Sequence, residues 1–297
     1  MPGLLIGVGT EEHGPLLSAA STELPRNRGA VSMDPMTLAT DYLQAYDAQL
    51  RTDAETPSAL SVARLGPLRL VTFAGGRGFI TYRDLDGADE PAIADLVAGA
   101  LEHFRADREI TTVEWKSRGH DRAPGLHEAL LANGFSADEP ESIMIGPLEA
   151  LCRNAPTPVG VTLRQVTAEA DVRAMSAAVD EAFGEAVDTR MAQALLDRLA
   201  RDDGMELWVA ETDGRIVCGG RLEPVPGTDF VGIWGGATLP AYRGRGIYRA
   251  LTAARARSAL ALGKKFVHSD STEDSRPILE RSGLLRVSTT TPYNWTR

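Results

Sequence analysis

The sequence predicts an α/β fold of the α+β kind, in two successive halves, each a mixed, mostly antiparallel sheet flanked by helices. Three observations predict it. The chain has 297 residues, room for about two domains of 100–200 residues. Segments with strand and helix periods alternate up to residue 148, then start afresh after a stretch holding Pro156 and Pro158. The two halves also end alike. In the first, a strand over Thr111–Lys116 is followed by Asp121, Pro124, a helix and Asn133-Gly134-Phe135; in the second, a strand over Lys265–Ser269 is followed by Asp274, Pro277, a helix and Ser282-Gly283-Leu284. Proline to glycine spans ten residues in one case and six in the other, a difference of about one helical turn at ~3.6 residues per turn. This pattern reads as a diverged internal duplication.

Each element has a local reason. Residues 1–32 carry Gly, Pro and Ser without a sustained period and read as a loose tail, with Met33 a candidate natural start. From Asp34, Leu38, Tyr42, Leu43, Tyr46 and Leu50 share a helical face. Ser61–Leu65 and Leu68–Phe73 read as strands about a Gly-Pro turn, and Gly75–Gly78 as a hairpin turn into Phe79–Tyr82. Pro91 opens a helix carrying Ile93, Val97, Leu101 and Phe104. Glu109–Lys116 alternates as a strand, Asp121 is placed to cap a helix running to Leu131, and Glu141–Ile145 is a last strand. Glu149–Gly160 reads as a linker. In the second half Val161–Gln165 is a strand, and Ala168–Phe183 and Thr189–Ala200 are helices. Leu207–Thr212 and Arg215–Leu222 form a hairpin through Asp213-Gly214. Phe230–Thr238 is a strand, a helix face runs from Ile247 to Ala261 and stops at Gly263, and the chain returns as a strand over Leu284–Thr291. The domain reading is therefore a tail (1–32), a first half (33–150) and a second half (151–297).

Composition excludes several classes. The formal net charge of −10 argues against nucleic acid or anionic membrane as a partner, since both need basic patches. It is compatible with a cationic substrate. Cys152 and Cys218 are too few for a disulfide framework or a Cys-rich zinc site, and the five histidines lie apart without an HExxH pattern, so no metal is expected. No stretch approaches the ~20 apolar residues of a membrane span, and Gly3–Val8 is too short for a signal peptide. The expected location is cytoplasmic. Oligomeric state, monomer or homodimer, is open.

The segment with chemistry runs from Ala237 to Leu251 and reads ATLPAYRGRGIYRAL. It lies between a predicted strand and a predicted helix. Glycine lets the backbone turn sharply and approach a ligand, and the helix that follows turns its first N–H groups and positive dipole end into the loop, which suits pyrophosphate. Arg243, Arg245 and Arg249 add charge able to pair with phosphate. A dinucleotide fingerprint fails, because Arg249 stands at its third glycine.

This segment resembles the coenzyme A signature of the GNAT acetyltransferases, Arg/Gln-x-x-Gly-x-Gly/Ala. Here it reads Arg243-x-x-Gly246-x-Tyr248, preceded by Thr238-x-Pro240-x-Tyr242. The element order of Val159–Arg297 fits the family throughout, so the two halves are expected to be GNAT-like domains. The resemblance implies direct attack of an amine on the thioester of acetyl-CoA in a ternary complex. Ala237, Thr238, Leu239, Arg243, Gly244, Arg245, Gly246, Ile247, Tyr248 and Arg249 are then the cofactor-binding residues, with the amides near Thr238 and Leu239 polarising the thioester carbonyl. Tyr248 departs from the pattern and puts a bulky ring beside the loop. The family's frequent glutamate falls on Gly232, and its thiolate-protonating tyrosine on Leu279. Glu223 and His268 are the leading substitutes as acid and base, ahead of Asp229, Asp270 and Tyr248, and water-mediated deprotonation is a further option. Trp208, Trp234 and Tyr293 are candidates to line the acceptor pocket.

In the first half, the place of the loop holds Asp84, Asp86, Asp89 and Glu90, which would repel pyrophosphate. That half is expected to lack cofactor and to pack against, or wall, the acceptor site. The expected activity is N-acetyl transfer to a primary amine of a small molecule or peptide. The alternatives are a non-catalytic acyl-CoA-binding regulatory protein, or transfer of an aminoacyl or longer acyl group. The mycothiol synthases are tandem GNATs of similar length, but no motif here selects their substrate.

Overall fold

A computed structural model describes residues 34–297; the expectations for the 1–32 tail and Met33 fall outside the described residues. The first half runs α1 (Pro35–Gln49), β1 (Ser61–Leu65), β2 (Leu68–Phe73), β3 (Arg77–Thr81), α2 (Glu90–Ala106), β4 (Thr112–Arg118), α3 (Leu126–Ala132), β5 (Ser136–Ala137), β6 (Glu141–Pro147) and α4 (Leu148–Cys152). The second half runs β7 (Thr162–Gln165), α5 (Glu169–Phe183), α6 (Thr189–Arg201), β8 (Glu206–Thr212), β9 (Arg215–Pro224), β10 (Phe230–Thr238), α7 (Ile247–Ala261), β11 (Phe266–Ser271), α8 (Arg276–Arg281) and β12 (Leu285–Thr296). The expected mixed, mostly antiparallel α/β class holds. Among the described residues only β3 with β4 and β10 with β11 are parallel.

Local chemistry sets most boundaries. Asp89 caps α2 by accepting the Ala92 N–H at 3.1 Å, two residues before Pro91. The β8–β9 turn places Asp213 and Gly214 at φ 50° and 74°, the left-handed pair a two-residue hairpin demands. Two readings need correction. Asp121 caps no helix: α3 starts at Leu126, and the Asp121 carboxylate instead accepts both guanidinium nitrogens of Arg51, at 2.7 and 3.0 Å. A buried arginine outcompetes a cap, because leaving its charge unpaired would cost more than one turn of helix. Within the expected linker, Leu148–Cys152 is helical and its Leu148 and Leu151 pack in one core with Ala256 and Ala259 of α7.

The strands join into one sheet in the order β1-β2-β3-β4-β12-β6-β11-β10-β9-β8-β7, with β5 paired to β12. The halves exchange their last strands. β6, from the first half, lies between β11 and the start of β12; the end of β12, from the second half, lies between β4 and β5. The seam falls at Thr290, which faces Glu141 of β6 and Arg118 of β4. α2 and α3 cover one core on the first half, built around Trp115, Phe104, Ile93 and Leu130. α1 covers the centre of the sheet, where Tyr42, Tyr46 and Leu50 meet Ile143, Ile145 and Phe230. No described helix is long and apolar enough to cross a membrane.

Candidate active site

β10 and β11 pair only over Phe230–Phe266, Val231–Val267 and Gly232–His268. Beyond that point they part. From Ile233 onward, the edge of β10 turned toward β11 has no strand partner, and a bulge between Trp234 and Ala237 bends it further. Bulges re-aim strands in this way. Ser269 steadies the fork by donating its hydroxyl to Ile233 O at 3.1 Å.

The bulge is glycine-built. Gly235 sits at φ 56°. A Cβ on Gly236 would lie 3.0 Å from the Tyr248 ring, and one on Gly220 would lie 2.6 Å from the Arg255 guanidinium. Tyr248 therefore turns inward beneath the bulge and does not stand over the loop. Arg255 is 1% exposed and makes no ion pair among the described residues; it donates to Arg221 O and Thr252 Oγ1, both at 3.0 Å. Burial pushes its pKa below the ordinary value.

Past the bulge, Leu239 leads through a 3₁₀ turn (Pro240–Tyr242) to a loop in which Gly244 and Gly246 have φ 73° and 78°. A Cβ on either would meet nothing within 4 Å, so both face open space. Gly246 opens α7 without a side-chain cap. The amides from Gly244 to Arg249 have no backbone acceptor, the first pairing being Ala250 N–H to Gly246 O. These are the orphan donors of a helix start.

Not every sequence-selected residue is free to act. Arg243 is engaged: it donates to Thr238 O at 3.0 Å and to Ala182 O, at the end of α5, at 2.6 Å. The Leu239 amide is spent on Val217 O at 2.9 Å, and the Thr238 hydroxyl donates to Cys218 Sγ at 3.1 Å. Turn and ladder thus engage two of the Arg243 nitrogens and the Leu239 amide in this structure. Ala237 and Ile247 are buried in the core beneath the loop. Arg245 lies over the Tyr242 ring at 5.2 Å, and both it and Arg249 are exposed.

On the other side of the fork lies a cavity of about 170 Å3 whose wall includes Tyr46, Glu55, Glu114, Lys116, Glu223, Trp234 and His268. Glu223 and His268 thus reach the same cavity. Glu223 is held by Arg198 at 2.9 Å and Arg221 at 3.3 Å. His268 meets Trp234 edge-on at 5.2 Å between ring centres, and its Nδ1 is buried without a partner. Burial lowers its pKa to about 4, so the ring is neutral. Gly232 leaves room for Trp234: a Cβ there would stand 2.4 Å from the indole nitrogen. Leu279 is buried in the α7 core. Trp208 and Tyr293 do not line the cavity. Trp208 donates to Glu206 at 2.7 Å, and Tyr293 meets His127 at 2.9 Å in the first-half core.

Sequence reasoning expected the first half to wall the site but named none of the first-half residues that do so. Lys116 and Asp270 form an ion pair at 2.5 Å across the seam, with side chains 16% and 8% exposed. Burial opposes both charges, yet their attraction holds Asp270 below and Lys116 above the ordinary range. Arg118 and Glu55 pair beside them. The signal was present as alternation of Glu114, Lys116 and Arg118 on one face of β4, opposite Val113 and Trp115.

A parallel pair parted beyond its third rung and a glycine loop at a helix start are thus brought together in the second half. The family model described as Acetyltransferase (GNAT) family matches residues 172–283, so the second half of this chain carries a GNAT domain. Among solved structures, a GCN5-related N-acetyltransferase from Kribbella flavida is similar, with TM-score 0.58 and 17% identity over 88% of this chain and 95% of that one. Another, from Sphaerobacter thermophilus, has TM-score 0.56 and 18% identity over 77% of this chain and 76% of its own. A tandem GNAT protein from the clavulanic acid biosynthesis pathway has TM-score 0.53 and 15% identity over 86% and 95%. At these identities the likeness is one of fold, and it extends across both halves. No curated protein matches the chain.

Proposed function

We propose that the protein is an N-acetyltransferase with two GNAT-like halves, divided near residue 150, in which the second half binds acetyl-CoA and the first completes the acceptor site. The parted β10 edge carries this reading. It leads from the open loop of unpaired amides, Gly244–Arg249, to the cavity behind Trp234 and His268. An extended arm can add to such an edge as a strand would. The loop amides with Arg245 and Arg249 would hold the pyrophosphate. The donor supplies an activated acyl thioester, and the rest of the work falls to the chain.

An alkyl ammonium, with a pKa of about 10.4, must lose a proton before attack. His268, neutral and in the cavity wall, can accept a hydrogen bond from the amine, but burial makes it a weak base, so water takes the proton. Glu223 is tied by two arginines and serves better to shape the wall than to move protons. Amides of β10 past Gly232 are the remaining donors for a developing oxyanion, since Leu239 is committed elsewhere.

Calorimetric titration with acetyl-CoA, followed by amine-dependent release of free thiol, tests this. Micromolar binding with turnover is the expected result. Binding without turnover on a broad amine panel would favour a regulatory acyl-CoA-binding role, a reading motivated by Gly232 and Leu279 at the family's acid/base positions. No binding would end the acyltransferase reading.

A further inference from the structure

The acceptor cavity is walled by both halves: β4 faces β10 and β11 across it. Most ionised groups in that wall are already answered. Lys116 has Asp270, Glu55 has Arg118, and Arg198 has Glu223 and Asp203. Glu114 is different. It is half-buried, lies in the register of Phe79 on β3, and makes neither a hydrogen bond nor an ion pair among the described residues. A carboxylate withdrawn from water without a partner is costly to keep. Burial accordingly pushes the Glu114 pKa up, with Lys116 and Arg77 offsetting part of the rise. The nearby cations do not neutralise it: the Lys116 ammonium is spent on Asp270, and Arg77 is exposed at the rim over the Phe73 ring, 5.6 Å from its centre. Phe79 supplies aromatic surface in the same wall, which suits an ammonium as well; the Trp234 ring already has the Lys116 ammonium 5.9 Å from its centre.

We infer that Glu114, donated by the half without a cofactor loop, binds a second cationic group on the acceptor, so that the substrate class is a small diamine. This rests on the acyl-transfer reading for which end of the acceptor reacts. One amine lies at the fork beside Trp234 and His268, and the other pairs with Glu114. At about 170 Å3, the cavity is smaller than the roughly 300–1,000 Å3 of ordinary ligand sites, in keeping with a short chain between the two nitrogens.

The test compares 1,4-diaminobutane, butylamine and 4-aminobutanoate as acceptors with saturating acetyl-CoA, in wild type and in Glu114→Gln. The diamine should exceed the monoamine in kcat/KM by at least about tenfold, the scale of one charge-assisted hydrogen bond. Glu114→Gln should erase that preference through KM while acetyl-CoA affinity stays unchanged. Equal use of diamine and monoamine by the wild type, or preference for the amino acid, overturns the inference even if the variant does not fold. So does a folded variant that keeps the preference. Should acetyl-CoA fail to bind at all, the acyltransferase reading falls separately. Thermal stabilisation of the wild-type protein, but not of Glu114→Gln, by 1,4-diaminobutane alone would still support the cation site, and equal shifts in both would reject it.

Discussion

The β3–β4 pair and the β10–β11 pair are one device with two outcomes. Among the described residues each is the only parallel pair of its half, and in each the first strand reaches the second through a loop and a helix. After β10 the loop is Arg-Gly-Arg-Gly, open, with amides free from Gly244 to Arg249. After β3 it is acidic, and Asp89 fills the helix start by accepting the Ala92 amide. A side-chain oxygen thus occupies in one half the place that a phosphate oxygen would take in the other. The same strand geometry thus serves two helix starts, and a few residues set whether the start is capped by a side chain or left open. What the first half retains is a role in the shared cavity, through Glu114 and Lys116.

The strongest way to break the comparison is to separate the halves. Because β6 and β12 are exchanged, residues 33–150 or 151–297 expressed alone should show no cooperative unfolding by circular dichroism, and co-expression should restore it. A cooperative transition in either fragment would make the exchange incidental. Next in size, Lys116→Met leaves Asp270 buried without its partner and should cost about 3–5 kcal/mol in urea unfolding.

Arg245→Glu with Arg249→Glu should weaken acetyl-CoA binding about a hundredfold, or about 2.7 kcal/mol, without changing the melting temperature. Arg243→Ala should do the opposite. It removes two charged hydrogen bonds to backbone carbonyls, each worth about 1.5–3 kcal/mol, so stability should fall first. The smallest effect concerns pH. His268 has a folded pKa of about 4 against an unfolded value of about 6.5. Its contribution to stability is full above the unfolded value and is lost as pH falls toward the folded one, by about 2 kcal/mol between pH 7 and pH 5. His268→Leu should flatten urea midpoints over that window; an unchanged slope would mean the ring is hydrated.

Most of the element order, the Asp213-Gly214 hairpin, the glycine loop before α7 and the lack of such a loop in the first half were legible from the residues alone. Those features follow from short-range sterics, turn chemistry and hydrophobic period, which act within a few residues. Glu223 and His268 were legible as residues near the site, and were read as acid and base, because both lie on strands flanking β10. Their roles were not legible, since two arginines hold Glu223 and burial neutralises His268. The engagement of Arg243 with Ala182 was hidden for the same reason: a loop motif names a residue type, not the carbonyl 61 positions away that captures it.

The strand exchange and the cavity emerged only from packing between distant segments. β6 and β12 read as ordinary strands, and nothing in a strand's period specifies which edge it joins when several edges expose the same backbone donors and acceptors. The ion pair of Lys116 with Asp270 joins residues 154 apart in sequence. It becomes visible only once the seam at Thr290 brings the two halves together and burial makes each charge depend on the other.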